Sequence, residues 1–130
     1  MLFRSGKPDQ LKRLTDIVWP EIRRLAENEI ASVQQAEPNR IIVLEAAVLF
    51  EAGWDDVGDE VWVNSVDRAV AIARAMARDN IPQSAIESRL DAQWSNEQRK
   101  ARATVVVDNN GTTEQMLAQL SKQWQRLRAE

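Results

Sequence analysis

Ala103-Thr104-Val105-Val106-Val107-Asp108-Asn109-Asn110-Gly111 decides the fold. Its apolar residues are β-branched and continuous rather than alternating, the pattern of a strand buried on both faces, as in a parallel sheet. Asp108-Asn109-Asn110-Gly111 then closes the strand with turn chemistry, Gly111 being free to take positive φ. Two earlier stretches read the same way. Arg40-Ile41-Ile42-Val43-Leu44 follows the turn Glu37-Pro38-Asn39, and Glu60-Val61-Trp62-Val63-Asn64 follows the loop Glu51-Ala52-Gly53-Trp54-Asp55-Asp56.

Between these strands the period is helical. Val70, Ala71, Arg74, Ala75 and Arg78 recur at three- and four-residue spacing from Asp67 to Asp79-Asn80. Pro82 starts another helix with Ile86, Leu90 and Gln93 on one side, and Ser95-Asn96-Glu97-Gln98 is capping chemistry for a third. Thr112 or Thr113 caps a final helix whose inner face carries Met116, Leu117, Leu120, Trp124 and Leu127. At the front, Pro8-Asp9 opens the pattern Leu11, Leu14, Ile17, Val18, which Pro20 interrupts before Ile22, Leu25, Ile30 and Val33. That predicts two consecutive helices, or one kinked at Trp19-Pro20. Strands separated by helices imply an α/β fold with a mostly parallel sheet. Three strands make a thin sheet with open edges, which natural domains cover, so the sheet reads as part of a larger one.

Composition narrows the chemistry. The 130 residues are one domain's length, and 44% hydrophobic with 28% charged is the balance of a globular chain, not a disordered one. A net charge of −3 gives no excess to neutralise a nucleic-acid backbone. The absence of Cys excludes disulfides and thiolate metal sites, and the absence of His excludes a His general base, a Ser-His-Asp triad and a His-ligated zinc. A carboxylate-bound Mg²⁺ stays open. The longest apolar run, Ala46-Ala47-Val48-Leu49-Phe50, is far short of a membrane span, and Arg4 and Lys7 break any leader-like pattern, so the expected setting is soluble and cytoplasmic.

Three clusters can carry chemistry. Glu45, directly after the strand-like run ending at Leu44, stands where ligand sites of α/β sheets gather, or caps a helix with Leu49 and Phe50 as core. Arg74, Arg78, Arg89, Arg99, Lys100 and Arg102 lie on consecutive short helices that can fold over polyphosphate oxygens. The same charges are balanced by Asp79, Glu87, Asp91 and Glu97 and equally suit a solvated face. Asn109, in the turn after the last strand, carries an amide able to bond a base edge, although the four residues also make an ordinary turn. The five tryptophans fall on unrelated elements, as core and interface residues do. Neither G-x-x-x-x-G-K-[ST] nor G-x-G-x-x-G occurs.

Taken in order from about Pro8 to Leu127, these segments resemble the dephospho-CoA kinase family. Gln10-Leu11-Lys12-Arg13-Leu14-Thr15-Asp16-Ile17-Val18-Trp19-Pro20 is similar to a family segment ending in His-Pro, with Trp19 in place of the His, a variant closer to the kinase domain of bifunctional CoA synthases. Ile42 to Trp54 resembles the family's strand and LLFE loop, followed by Asp59-Glu60-Val61-Trp62-Val63. Arg74, Arg78-Asp79, Arg89 and Gln93 are similar to its lid, and Asn109-Asn110-Gly111 to its terminal turn. Thr104 departs from the family, which usually has Asp there.

The resemblance implies a partial P-loop-kinase-like three-layer α/β/α fold with a helical lid over 67–102. It implies transfer of the ATP γ-phosphoryl to the ribose 3′-hydroxyl of dephospho-CoA, with ATP and Mg²⁺ as cofactors. Arg78 and Arg74 would stand over phosphates, with Arg89, Gln93 and Arg99 supporting and Asn109 on the adenine side. Leu49, Phe50 and Glu51 would line the dephospho-CoA side, and Glu45 would sit near the metal and acceptor. The family's N-terminal strand, P-loop and catalytic Asp segment have no counterpart in these residues. The expectation is therefore that 6–130 is the C-terminal part of the kinase domain and is inactive alone. Residues 1–5, Met1-Leu2-Phe3-Arg4-Ser5, are encodable by codons containing a common sequencing-adapter string and read as an assembly scar ahead of a truncated frame. The competing expectation is a short non-catalytic protein that binds a CoA-like ligand or pairs with a kinase subunit.

Overall fold

The structure is a computed structural model that describes residues 8–129. The proposed scar at residues 1–5 lies outside the described residues. The chain divides into two compact units, residues 1–57 and 58–130.

The first unit is built on one long helix, α1 (Pro8–Ala36). Of the two expected arrangements, two helices or one kinked at Trp19-Pro20, a single helix forms and runs through Pro20, although proline removes one backbone donor there. Its Leu11, Ile17, Ile22 and Leu25 are exposed among the described residues. The strand expected at Arg40–Leu44 is also absent, and residues 40–46 are irregular. Val43 is 78% exposed, which rules out burial on both faces. The physical reason is pairing: a β-branched run becomes a strand only when a neighbour accepts its backbone bonds, and no described strand lies beside it.

Residues 47–57 wind into a tight loop. Ala52 N donates to Val48 O, Gly53 N to Phe50 O and Trp54 N to Leu49 O at 2.8–3.1 Å, and Gly53 takes φ +68°, which glycine allows without strain. Phe50 and Trp54 are buried at its centre, and the Trp54 ring meets Trp19 of α1 edge-on at 6.5 Å. Arg23 of α1 closes the loop: its NH1 donates to Gly53 O at 3.0 Å and to Asp56 Oδ1 at 2.8 Å, its NH2 to Asp56 Oδ2 at 3.2 Å, and its Nε to Glu27.

The second unit is a strand–helices–strand unit. β1 (Trp62–Ser65) and β2 (Val105–Asp108) pair in parallel, Trp62 opposite Val105 through Ser65 opposite Asp108. Parallel strands need a crossover. Here it is made by α2 (Arg68–Asp79), α3 (Gln83–Asp91) and α4 (Asn96–Arg102). The sheet expected to hold three strands thus holds two among the described residues. Val63, Ser65, Val105, Val107 and Ile86 are its buried residues, and the alternating burial of β2 shows one covered face, not two.

Local chemistry sets the helix limits. Asn80 ends α2 in the left-handed conformation with φ 49°, and its N–H donates to Met76 O. Ser95 and Gln98 form the expected capping box at α4. Thr112, not Thr113, caps α5 (Thr113–Ala129), exchanging bonds with Gln115 in the same way. A Cβ at Gly111 would overlap the Gln115 amide that makes this cap, so a larger residue would displace that cap, and Gly111 does not take positive φ. On α5, Met116, Leu120 and Leu127 are half-buried as expected, whereas Leu117 and Trp124 are exposed, because the two-stranded sheet covers only part of the helix's apolar side.

Two polar ties fix the start of β1. Thr104 Oγ1 accepts from Val61 N at 3.0 Å while Thr104 N donates to Val61 O at 2.8 Å, so the hydroxyl supplies the acceptor that an Asp would otherwise offer. Glu60 accepts both arms of the Arg126 guanidinium and the Trp62 indole N–H, each at 2.8 Å. Arg126, then Trp62, hold the Glu60 carboxyl below the ordinary glutamate range against the effect of partial burial. A depressed carboxylate stabilises the fold fully above its unfolded value, about 4.3, and that contribution is lost as pH falls through the folded value. Glu60→Gln is expected to cost about 1 kcal/mol at pH 7 and to flatten the acid limb of stability. Urea unfolding at pH 7 and in acid checks this, and an unchanged acid limb would contradict it.

Candidate functional site

The chemistry-bearing residues of the second unit gather at three places. The first is the C-terminal end of α2. Arg78 is exposed and folds onto its neighbour, Nε to Asp79 Oδ1 at 2.6 Å and NH2 to Asp79 Oδ2 at 2.8 Å. The Arg78 guanidinium holds the Asp79 carboxyl below its usual range, and the charge of Arg89, in the last turn of α3, adds to this. Arg78 thus holds the carboxylate directly, and Arg89 acts on it only through its charge.

The second place is the turn after β2. Asp108 is tied to α5 by a reciprocal pair, Asp108 N to Gln119 Oε1 and Gln119 Nε2 to Asp108 O, both 2.9 Å. Asn110 N donates to Asp108 Oδ1 at 2.7 Å, and Asn110 Oδ1 accepts from Asp67 N, just ahead of α2, at 2.7 Å. Asp108 and Asn110 are thus spent on the turn. Asn109 N donates to Ser65 O, and its half-buried side chain makes one weak contact, Oδ1 to Arg74 NH1 at 3.4 Å. Arg74 itself is taken up by the turn's carbonyls: NH1 donates to Asn109 O at 2.5 Å, and NH2 to Asn110 O at 3.2 Å and Gly111 O at 3.0 Å.

The third place is a cleft of about 420 Å³ whose lining includes Arg68, Ala71, Leu90, Gln93, Trp94 and Arg99. The Arg99 NH2 donates to Asn96 Oδ1 at 2.7 Å, and its buried Nε has no hydrogen-bond partner among the described residues. Arg68 is paired with Asp91 at 2.9 Å, and Arg102 lies over the Trp94 ring at 5.4 Å.

The acceptor-side residues belong to the first unit. Glu45 is exposed at the end of the irregular stretch, Leu49 and Glu51 are half-buried in the wound loop, and Phe50 is buried in that unit's core. The structure thus brings Gln93 to Arg99 and Arg74 to Asn109, while Arg89 reaches the Asp79 held by Arg78 through its charge. The grip of Arg23 on the loop has no signal in the sequence, because Asp56 is 33 residues away and no local pattern marks the pairing. No three Asp or Glu side chains among the described residues converge to hold a metal. No described helix is long and apolar enough to cross a membrane.

A parallel strand pair joined by arginine-bearing helices defines a partial α/β P-loop-kinase-like fold. A solved structure from Thermus thermophilus matches it over 94% of this chain and 62% of that one, with a TM-score of 0.63 and 27% identity. A dephospho-CoA kinase from Campylobacter jejuni matches over 94% and 60%, with a TM-score of 0.65 and 22% identity, a likeness of fold. The family model for dephospho-CoA kinase matches residues 2–115, and the chain belongs to that family. A dephospho-CoA kinase of Geobacter sulfurreducens is 44% identical over 113 residues, 87% of this chain and 57% of the relative. One from Moorella thermoacetica is 37% identical over 127 residues, 98% of this chain and 59% of the relative. The chain therefore spans somewhat under three-fifths of the length of these relatives.

Proposed function

We propose that this chain supplies the nucleotide-lid, base-side and acceptor-side parts of a dephospho-CoA kinase. That enzyme moves the γ-phosphoryl of ATP to the ribose 3′-hydroxyl of dephospho-CoA, in the cytoplasm. The observation that carries the reading is the exposed Arg78 guanidinium at the end of α2, held by its neighbour Asp79, with Arg89 charged nearby, in a chain of this family. A triphosphate oxygen competes with Asp79 for Arg78, and two guanidinium groups then neutralise charge on the transferring group. Arg99 and Gln93 line one cleft and offer further donors there, and the Asn109 amide is a donor for the base. These free donors suit ATP. Mg²⁺ bound with ATP would need only one or two protein carboxylates besides the phosphates, and no step is assigned to it.

Glu45, Leu49, Phe50 and Glu51 are the proposed dephospho-CoA side. Leu49 and Phe50 there supply apolar surface and the loop's rigidity, and Glu45 an exposed carboxylate. Residues 67–102 act as the lid. The backbone cradle for the β- and γ-phosphates and the base for the hydroxyl come from a segment unlike anything in these 130 residues. The test is a CoA-forming assay of the chain alone and of the chain joined to a P-loop-bearing segment of a relative. Activity is expected only in the joined form.

A further inference from the structure

Resting on the nucleotide reading above, we propose that Arg74 is a positioning residue that fixes the Asn109–Gly111 turn so that Asn109 presents amide donors to a purine ring nitrogen. The geometry differs from that of a phosphate ligand. Both terminal nitrogens of the guanidinium are engaged by three consecutive backbone carbonyls, at 2.5, 3.2 and 3.0 Å. Three carbonyl dipoles converging on one point repel each other unless a cation sits among them, and Arg74 is that cation. A planar fork reaches several acceptors at once, which a lysine ammonium does less well.

The remaining bonds leave the turn little freedom. Asn109 N is held by Ser65 O, Asn110 N by Asp108 Oδ1, and Asn110 Oδ1 by Asp67 N. The Asn109 side chain turns its oxygen toward Arg74, so Nδ2 carries two donors that meet no acceptor among the described residues. Two such donors can bond ring-nitrogen acceptors, which every purine has. Arg74 thereby couples the middle of α2 to the base side of the site, through the turn and not through the ligand.

The experiment uses the ¹⁵N-labelled 130-residue chain with two probes, adenosine for the base and tripolyphosphate for the phosphates. Arg74→Met is expected to weaken adenosine about tenfold and to speed amide exchange at Asn109 and Asn110, with tripolyphosphate affinity unchanged. Arg74→Lys is expected to recover part of the adenosine affinity. Unshifted β1 and β2 resonances establish that the variants are folded. A fall in tripolyphosphate affinity, alone or together with adenosine, would make Arg74 a phosphate ligand and overturn the proposal. If the wild-type chain binds neither probe, the nucleotide reading fails separately. Exchange then decides: protection at Asn109 and Asn110 that survives Arg74→Met overturns the clamp, and protection lost upholds it.

Discussion

Mixed with ATP, Mg²⁺ and dephospho-CoA, the purified chain is expected to form CoA no faster than about 10⁻² s⁻¹, against about 1–100 s⁻¹ for kinases in general. Joined to the P-loop-bearing segment of the Geobacter sulfurreducens relative, it is expected to regain turnover within about tenfold of that relative. The difference comes from what the residues present can and cannot do. Phosphoryl transfer is catalysed by placing donors and cations where charge develops, and each such group is worth about 10²–10³ in rate. The chain offers Arg78 and Arg89, with Arg99 and Gln93 on a neighbouring cleft, but no glycine-rich loop followed by Lys. Without the loop the γ-phosphate is not held in line with the hydroxyl. CoA formation by the chain alone at ordinary kinase rates would contradict this division of labour.

The largest structural effect is expected at Trp54. Its ring is 7% exposed and meets Trp19 edge-on, and its backbone closes the loop through bonds to Leu49 and from Val57. Deleting a buried indole leaves a cavity costing about 3–5 kcal/mol, a large share of a small domain's total stability of about 5–15 kcal/mol. Trp54→Ala is therefore expected to melt the 47–57 loop while β1 and β2 persist. Amide exchange at Ala52 and Gly53, whose N–H groups are bonded within the loop, reads this directly. Protection retained at both in the variant would show that Arg23 and its partners alone hold the loop.

The second unit is the more legible in the sequence. Its capping box at Ser95–Gln98, its helix start near Pro82 and its strand at Val105–Val107 are all written in neighbouring residues, and each forms as expected. Arg40–Leu44 departs from expectation because local β-propensity does not supply a pairing partner, and its apolar side chains are largely exposed. At Pro20 the sequence leaves two helices or one open, and one forms: one lost bond does not end a helix that has several further turns on either side.

In the site, the residue types are visible in the sequence but their partners are not. Arg74 and Arg78 occupy neighbouring turns of one helix, yet one serves three backbone carbonyls some 35 residues away and the other its own neighbour. Sequence spacing cannot distinguish these, because the choice depends on where the turn after β2 comes to rest. Gly111 shows the same limit. A glycine in a turn suggests positive φ, whereas here the Gln115 cap takes the space a Cβ would need.

The most direct measurement of the central claim is a titration of the ¹⁵N-labelled chain with dephospho-CoA, followed by ATP. Saturable shifts are predicted at Glu45, Leu49 and Glu51 with dephospho-CoA, and at Arg78, Arg89 and Asn109 with ATP. Shifts confined to other residues, or none at millimolar ligand, would contradict it.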